Sequence, residues 1–275
     1  MTGTPLSSDH LEASCARLLA ERRFRDQTGL AVADGVGFVR RARDAGLVVE
    51  GLLFCPALCR GPMARRLVRA TTAPVVRLSR ERMTALSARA SPDGLIGVVR
   101  QRWRPLPRDG SLFLVAERLR SMGNLGTLLR TARATGVDGL VLMGDAVDPY
   151  DPAVVRASMG AVFTLPMHRA SPSAFARWAR DVTVIGASAE GVRDFRAEPF
   201  EGRCALAVGE ERRGLQRSLR TACDRMVRIP MCDGLDSLNV AVAGSLLLYE
   251  AFRRRAPPEV VDPAPRRRRP AVEVP

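Results

Sequence analysis

The sequence contains no lysine; all 43 of its basic residues are arginine, set against 29 acids. It is also poor in aromatics, at 5%, and has only two histidines, His10 and His168. No apolar run approaches the ~20 residues that a membrane-crossing helix needs. The opening MTGTPLSSDHLEAS has no basic stretch followed by an apolar one, so no secretory signal is read there and a cytoplasmic location is expected. The six cysteines are Cys15, Cys55, Cys59, Cys204, Cys223 and Cys232. They form no CxxC pair, and neither histidine stands at ligand spacing from them. A four-ligand zinc centre is therefore not expected, and no metal is suggested by any other grouping. In a cytosolic chain these thiols read as reduced, small apolar residues. Also missing are GxGxxG, the GxxxxGK[ST] phosphate loop, the GxSxG elbow and HExxH, which counts against ordinary dinucleotide, nucleotide-hydrolysing, serine-hydrolase and zinc-protease readings.

What is present is a large positive excess, with a formal charge of +14. A G/C-rich coding bias explains arginine in place of lysine but not bases in excess of acids. The excess favours a polyanionic partner, of which nucleic acid is the commonest, and the planar guanidinium suits bidentate phosphate contacts. The apolar fraction, 46%, is enough for a real core.

The chain reads as five stretches. Residues 1–14 look like a flexible arm, followed from Glu12 to Asp26 by a charged helix that looks exposed. Residues 15–102 form a small α/β unit. In it, strands near 30 and at 47–54 flank a helix near 35–45, and a basic helix at 62–70 follows. The unit ends on a short strand in APVVRLS, a helix, a Pro-Asp-Gly turn and the strand LIGVV. WRPLPRDG, at 103–110, is the best linker. From 111 to 255 strands and helices alternate, which predicts a parallel sheet with helices on its faces. Residues 256–275, with several prolines and the run Arg266 to Arg269, read as a basic disordered tail that is either solubilising or an anchor for phosphates.

Three segments of the second unit stand where a strand gives way to a helix. The first is Arg120-Ser121-Met122-Gly123-Asn124-Leu125-Gly126, which leads into Arg130-Thr131-Ala132. The second runs from Val208 and Gly209 through Glu211 to Gly214-Leu215. The third is Ile229-Pro230-Met231 and, after a turn, Ser237-Leu238-Asn239-Val240. Ligands of an open parallel sheet bind at the carboxyl ends of its strands, so all three belong to one edge. Taken singly they have plainer readings: Asn124 as a helix cap whose glycines let the backbone turn, Arg130 on a solvated face, Ser237 as a cap and Asn239 as a first-turn hydrogen bonder.

Together, in this order and spacing, they resemble the signature motifs of the SpoU (TrmH-like) RNA methyltransferases. The first motif, roughly N-x-G-x-x-x-R-T-A, is matched by Asn124, Gly126 and Arg130 to Ala132. G-x-E-x-x-G-L is matched by Gly209, Glu211, Gly214 and Leu215, and I-P-M…S-L-N-V by Ile229 to Met231 and Ser237 to Val240. Arg156 to Ala161 resembles a further stretch of the family. The resemblance implies an α/β fold with a trefoil knot in the parallel-sheet domain, S-adenosylmethionine bound in a bent shape, and a homodimer. By that likeness Gly209, Ile229, Leu238 and Met231 hold the cofactor. The first unit is similar to the L30-like RNA-binding domain attached to some members, with Asp34-Gly35 where Glu-Gly is frequent. That points to ribosomal RNA, such as the substrates of actinomycete antibiotic-resistance methyltransferases. A tRNA ribose methyltransferase and a non-catalytic RNA-binding protein are the other readings.

The chemistry the resemblance implies is transfer of a methyl group to a ribose 2'-OH. It needs in-line positioning and stabilisation of developing negative charge on oxygen, and no metal. Arg130 is the expected central residue. A guanidinium is a demanding general base, so its expected role is to hold the target phosphate and lower the 2'-OH pKa by its charge. Asn124, Ser237 and Asn239 are expected to orient the ribose and Arg130, with Glu211 fixing Arg130 or its loop.

Overall fold

In the computed structural model, which describes residues 8–232 and 237–255, the chain folds around two sheets. The first is built from α1 (Ser8–Ala20), α2 (Arg22–Thr28), β1 (Leu30–Asp34), α3 (Val36–Asp44) and β2 (Val49–Phe54), then α4 (Pro62–Arg69), β3 (Val75–Arg77), α5 (Arg80–Leu86) and β4 (Leu95–Arg100). Its order is β1-β4-β2-β3, with β4 antiparallel to both neighbours and β2 parallel to β3.

Two expectations at this end need correction. The segment 8–14 is not an arm: α1 starts at Ser8 and buries Leu11, Cys15 and Leu18 on one face. That i, i+4, i+7 stripe lies directly on the sheet, where a Cβ on Gly51 would sit 2.5 Å from Leu11. The charged stretch 12–26 is not one exposed helix either. It breaks at Glu21, which is extended, and α2 puts Arg25 into the interior at 2% exposure. Residues 1–7 and the basic tail at 256–275 lie outside the described residues.

The second sheet begins with β5 (Leu112–Glu117), α6 (Met122–Ala134), β6 (Gly139–Met143), α7 (Pro152–Ala157), β7 (Met167–Ala170), α8 (Pro172–Trp178) and β8 (Thr183–Ala187). The two-residue β9 (Arg193–Asp194), β10 (Cys204–Val208), α9 (Arg217–Thr221), β11 (Arg225–Arg228) and α10 (Val240–Arg255) complete it. The order is β7-β6-β5-β10-β8-β11-β9, and every pairing is parallel. β5, β6 and β10 are buried along their whole length, as strands covered on both faces must be, which is why they read as unbroken apolar runs. Because all strands point one way, the ends of β5, β10 and β11 open on one edge, and the three segments follow them there.

WRPLPRDG joins the two sheets but is firmly held. Arg104 bridges to His168 of β7, Trp103 packs edge-on against Tyr150 at 5.8 Å, and Trp178 Nε1 donates to Pro107 O at 2.7 Å. The sheets also meet through Arg25. Its Nε donates to Asp148 at 2.6 Å, Nη2 to Asp151 at 3.0 Å and Nη1 to Leu18 O at 2.7 Å. A buried guanidinium is tolerated when its donors are met in this way. Here the partners lie on both sides of the junction, so α2 is locked to the 148–151 turn.

Candidate active site

The loop after β10 is pinched shut on itself. Glu210 and Gly214 exchange both backbone hydrogen bonds, at 3.0 and 2.8 Å, and Gly214 has a φ of +63°. A Cβ on Gly209 would stand 2.2 Å from the Gly214 backbone, so a side chain there would burst the loop. Glu117, at the end of β5, accepts from Gln216 N at 2.7 Å and holds the exit of the same loop; its burial pushes its carboxyl up, with that N–H pulling the other way.

Pinching turns Glu211 toward the first segment. Its carboxylate accepts from Arg120 N at 3.2 Å, Ser121 N at 3.1 Å and Asn124 Nδ2 at 3.0 Å. Partial burial works against the charge. The donors outweigh it, and the carboxyl lies below its usual range. Asn124 Oδ1 in turn accepts from Asn239 Nδ2 at 3.0 Å, and Asn239 Oδ1 takes the Ala241 and Val242 N–H groups at 2.8 and 3.3 Å, capping α10. The amide orientations follow from chemistry. A carboxylate can only accept, and a cap needs an oxygen, so the chain Asn239→Asn124→Glu211 runs one way. The three segments are thus one hydrogen-bonded unit.

Some roles differ from the sequence reading. The cap of α6 is Ser121, whose Oγ accepts from Asn124 N at 3.3 Å; Asn124 lies inside the first turn with its side chain free for the network. Gly126 is not at a turn. It lets α6 approach α7, since a Cβ there would meet the Ala157 Cβ at 2.4 Å, and Ala157 belongs to the Arg156 to Ala161 stretch. The cap of α10 is Asn239 rather than Ser237. Glu211 fixes the first loop and not Arg130. Arg130 is exposed and, among the described residues, has no hydrogen-bond or ion-pair partner. Six residues beyond Asn124 it lies about 9 Å along the helix and on another face. One chain therefore joins Asn124, Glu211 and Asn239, and leaves Arg130 apart.

Beside this unit lies a cavity of about 340 Å³, within the range of small-ligand sites. Gly209, Ile229, Met231 and Leu238, the four residues expected to hold a cofactor, all line it, together with Ser237 and Glu211. Its lining mixes apolar side chains such as Val208, Ile229 and Leu238 with polar and charged ones such as Ser188, Glu211 and Arg220, a combination that fits a nucleoside carrying an amino-acid arm. Sequence reasoning missed the wall formed by Ala187 at the end of β8 and by Ser188, Ala189 and Glu190 after it, and Arg220 on α9. The available signal was the strand VTVIGAS, which ends in small residues at the binding edge. Among the described residues, no group of histidine, cysteine, aspartate or glutamate is placed to hold a metal, and no helix is long and apolar enough to cross a membrane.

Comparison with known proteins bears on this arrangement directly. The SpoU rRNA Methylase family matches residues 111–249, and an MRM3-like substrate binding domain matches residues 15–97. The 23S rRNA (uridine(2479)-2'-O)-methyltransferase of Streptomyces viridochromogenes is 32% identical over 251 residues, covering 86% of this chain and 88% of that protein. Among solved structures, the AdoMet-bound rRNA methyltransferase of Sinorhizobium meliloti superposes with a TM-score of 0.82 at 30% identity, over 92% of this chain and 97% of that one. The SpoU methyltransferase AviRb of Streptomyces viridochromogenes, in complex with AdoMet, gives 0.82 at 31% identity, over 89% and 97%.

Proposed function

The chain belongs to the SpoU rRNA methylase family and is an S-adenosylmethionine-dependent RNA 2'-O-ribose methyltransferase, and on that premise we propose that it methylates a uridine ribose of 23S rRNA in the cytoplasm. The observation that carries the site assignment is the hydrogen-bonded line Asn239–Asn124–Glu211 at the rim of the cavity. The similarity to the Streptomyces viridochromogenes enzyme across both sheets supports the choice of substrate, since the likeness includes the substrate-binding unit and not only the methyltransferase domain. Protection of the ribosome against an antibiotic is part of this proposal.

The cofactor supplies a methyl group already activated on a sulfonium. Gly209, Ile229, Met231 and Leu238 hold it, mainly through backbone and apolar contacts. Asn124, Ser237 and Asn239 orient the ribose, and Glu211 keeps the first loop in register with the second. Arg130 carries the positive charge that binds the target phosphate and stabilises the ribose oxygen as its proton leaves. The C-terminal part of the domain is threaded as a trefoil knot, and the working unit is a homodimer. Support for the dimer comes from α10, where Val242, Leu246 and Tyr249 stay exposed at i, i+4 and i+7 as an apolar stripe beside the active edge. A second copy is the occupant that gives a lone Arg130 a site to serve.

The test is to map ribose methylation across ribosomal and transfer RNA in cells with and without the gene. One 23S uridine is expected to lose its 2'-O-methyl group. Loss at a tRNA position instead would overturn the substrate assignment.

A further inference from the structure

The cavity is lined by three carboxylates, of which Glu211 is fully engaged and Glu210 is largely buried. Glu211 is held by Arg120, Ser121 and Asn124, and Glu210 lies in the pinched loop, 16% exposed and 3.9 Å from Arg118. The third, Glu190, belongs to no motif. It stands on a short turn after β8, and its carboxylate is 74% exposed with a single partner, Arg220 Nη2 at 2.8 Å.

The turn is built to hold that position. Ser188 N donates to Val227 O at 3.0 Å, tying the turn to the end of β11. Glu190 N donates to Ser188 Oγ at 3.2 Å, and Gly191 N to Ser188 O at 3.1 Å. At Gly191 a Cβ would meet the Val227 carbonyl carbon at 2.4 Å, so glycine is required for the chain to pass this close. Three hydrogen bonds and a glycine thus fix the backbone of one exposed glutamate at the rim of a nucleoside-sized cavity. An exposed Arg–Glu pair contributes little to stability, so the pair does not account for the precision of the turn.

We infer that the Glu190 carboxylate accepts hydrogen bonds from the ribose hydroxyls of the bound S-adenosylmethionine, with Arg220 holding it as a positioning residue. In open α/β sheets a carboxylate from a neighbouring strand end takes this role toward nucleoside cofactors, because a vicinal diol offers two donors and an ionised carboxylate two acceptors. β8 lies between β10 and β11, whose loops form much of the rest of the cavity, so Glu190 reaches the binding edge from between two strands that do bear motifs. Arg220 Nη2 occupies Oε2 and leaves Oε1 open.

The inference rests on the cavity being the cofactor site, and the experiment separates the two. Calorimetry with S-adenosylhomocysteine on the unaltered protein tests the cavity first, and absence of binding there would remove the cofactor assignment itself. Given binding, Glu190→Ala is expected to weaken S-adenosylhomocysteine and 5'-methylthioadenosine alike by ~10–100-fold, the range for hydrogen bonds to a charged group. The 2',3'-dideoxy form of 5'-methylthioadenosine is expected to bind weakly and equally to both proteins. Unloaded Glu190→Ala should melt with the unaltered protein, since the side chain is exposed. Three results would each overturn the assignment: unchanged affinity for S-adenosylhomocysteine, an equal loss for the dideoxy compound, or a loss for S-adenosylhomocysteine but none for 5'-methylthioadenosine. The last would give the carboxylate to the amino-acid arm.

Discussion

Asn124 Nδ2 donates to Glu211 Oε1 at 3.0 Å, across 87 residues of sequence, and this bond ties the loop after β5 to the loop after β10. Its polarity is testable because Asn124 is also the acceptor for Asn239. Asn124→Asp replaces the donor with a second carboxylate facing Glu211, and like charges at that range repel. Methyl transfer and S-adenosylhomocysteine affinity are both expected to fall, turnover by ~100-fold, the scale of losing an organised active-site donor. In Asn124→Asp/Glu211→Gln the charges again number one and residue 211 becomes the donor, at the cost of the bond that Glu211 Oε1 accepts from Ser121 N. About tenfold of the lost rate is expected to return. A double variant as inactive as the sum of its parts would show that the bond matters only for shape.

The Arg25 fork makes a prediction about stability. Arg25→Met leaves Asp148 and Asp151 facing each other with no cation between them. Losing one partner of a buried pair typically costs ~3–5 kcal/mol. Urea unfolding is expected to show a loss of that size, and Arg25→Lys is expected to recover little, because an ammonium cannot reach Asp148, Asp151 and Leu18 O together. S-Adenosylhomocysteine affinity should change less than twofold, since the fork does not line the cavity.

The sequence made the parallel sheet and its binding edge legible, because β5, β6 and β10 are unbroken apolar runs and the three segments follow strands. The four cavity-lining residues Gly209, Ile229, Met231 and Leu238 were legible only through their motifs. What stayed hidden depended on tertiary partners. The α1 stripe of Leu11, Cys15 and Leu18 was masked by the charges between them. Arg25 looks like any other arginine in RRFRD until the acids at 148 and 151 come into view. Asn124 and Ser121 are both good caps, and only Glu211, far along the chain, decides which one is left free. Glu190 sits in a turn whose shape is set by Val227, on another strand.

His168 predicts a pH dependence. Burial pushes its imidazole below the usual 6.5, with the Pro105 and Arg104 carbonyls pulling upward by less. Nδ1 is 2.6 Å from Pro105 O, so it carries the proton, while Nε2 is buried with no partner. Well above pH 6.5 the ring is neutral in both folded and unfolded chains. Below it the unfolded chain takes up a proton that the folded one resists, so stability falls as the pH is lowered, by at most ~1.4 kcal/mol per pH unit. In His168→Asn, which keeps a donor near Nδ1 and does not titrate, unfolding between pH 7 and 5.5 is expected to be flatter. An unchanged slope would assign it to other groups.

The apolar stripe of α10 predicts assembly. Leu246→Arg combined with Tyr249→Glu puts charges on an exposed face and costs the isolated chain little, since both side chains are already in water, at 41% and 54% exposure. Light scattering is expected to shift from dimer to monomer, with loss of methyl transfer. A stable, active monomer would reject the dimer and the role given to α10.

Arg130 gives the last prediction. It is exposed on α6, away from its own chain's cavity, and its neighbour Thr131 bonds Ser245 of α10 at 3.0 Å, so it flanks the helix that carries the stripe. Arg130→Ala is expected to leave S-adenosylhomocysteine affinity unchanged and to lower single-turnover methyl transfer by ~10²–10³-fold, the loss typical of one well-placed electrostatic donor. Arg130→Lys should rescue little, because a point charge does not reproduce the planar fork. Where the residue acts can be read from mixed dimers. Gly209→Val blocks the cavity by driving a side chain into the Gly214 backbone, so a Gly209→Val chain offers Arg130 without a cofactor site. An Arg130→Ala chain offers the reverse. If Arg130 serves the partner's cavity, their heterodimer holds one complete site and recovers about half the normal rate for a dimer. If it serves its own, the heterodimer is as slow as either parent.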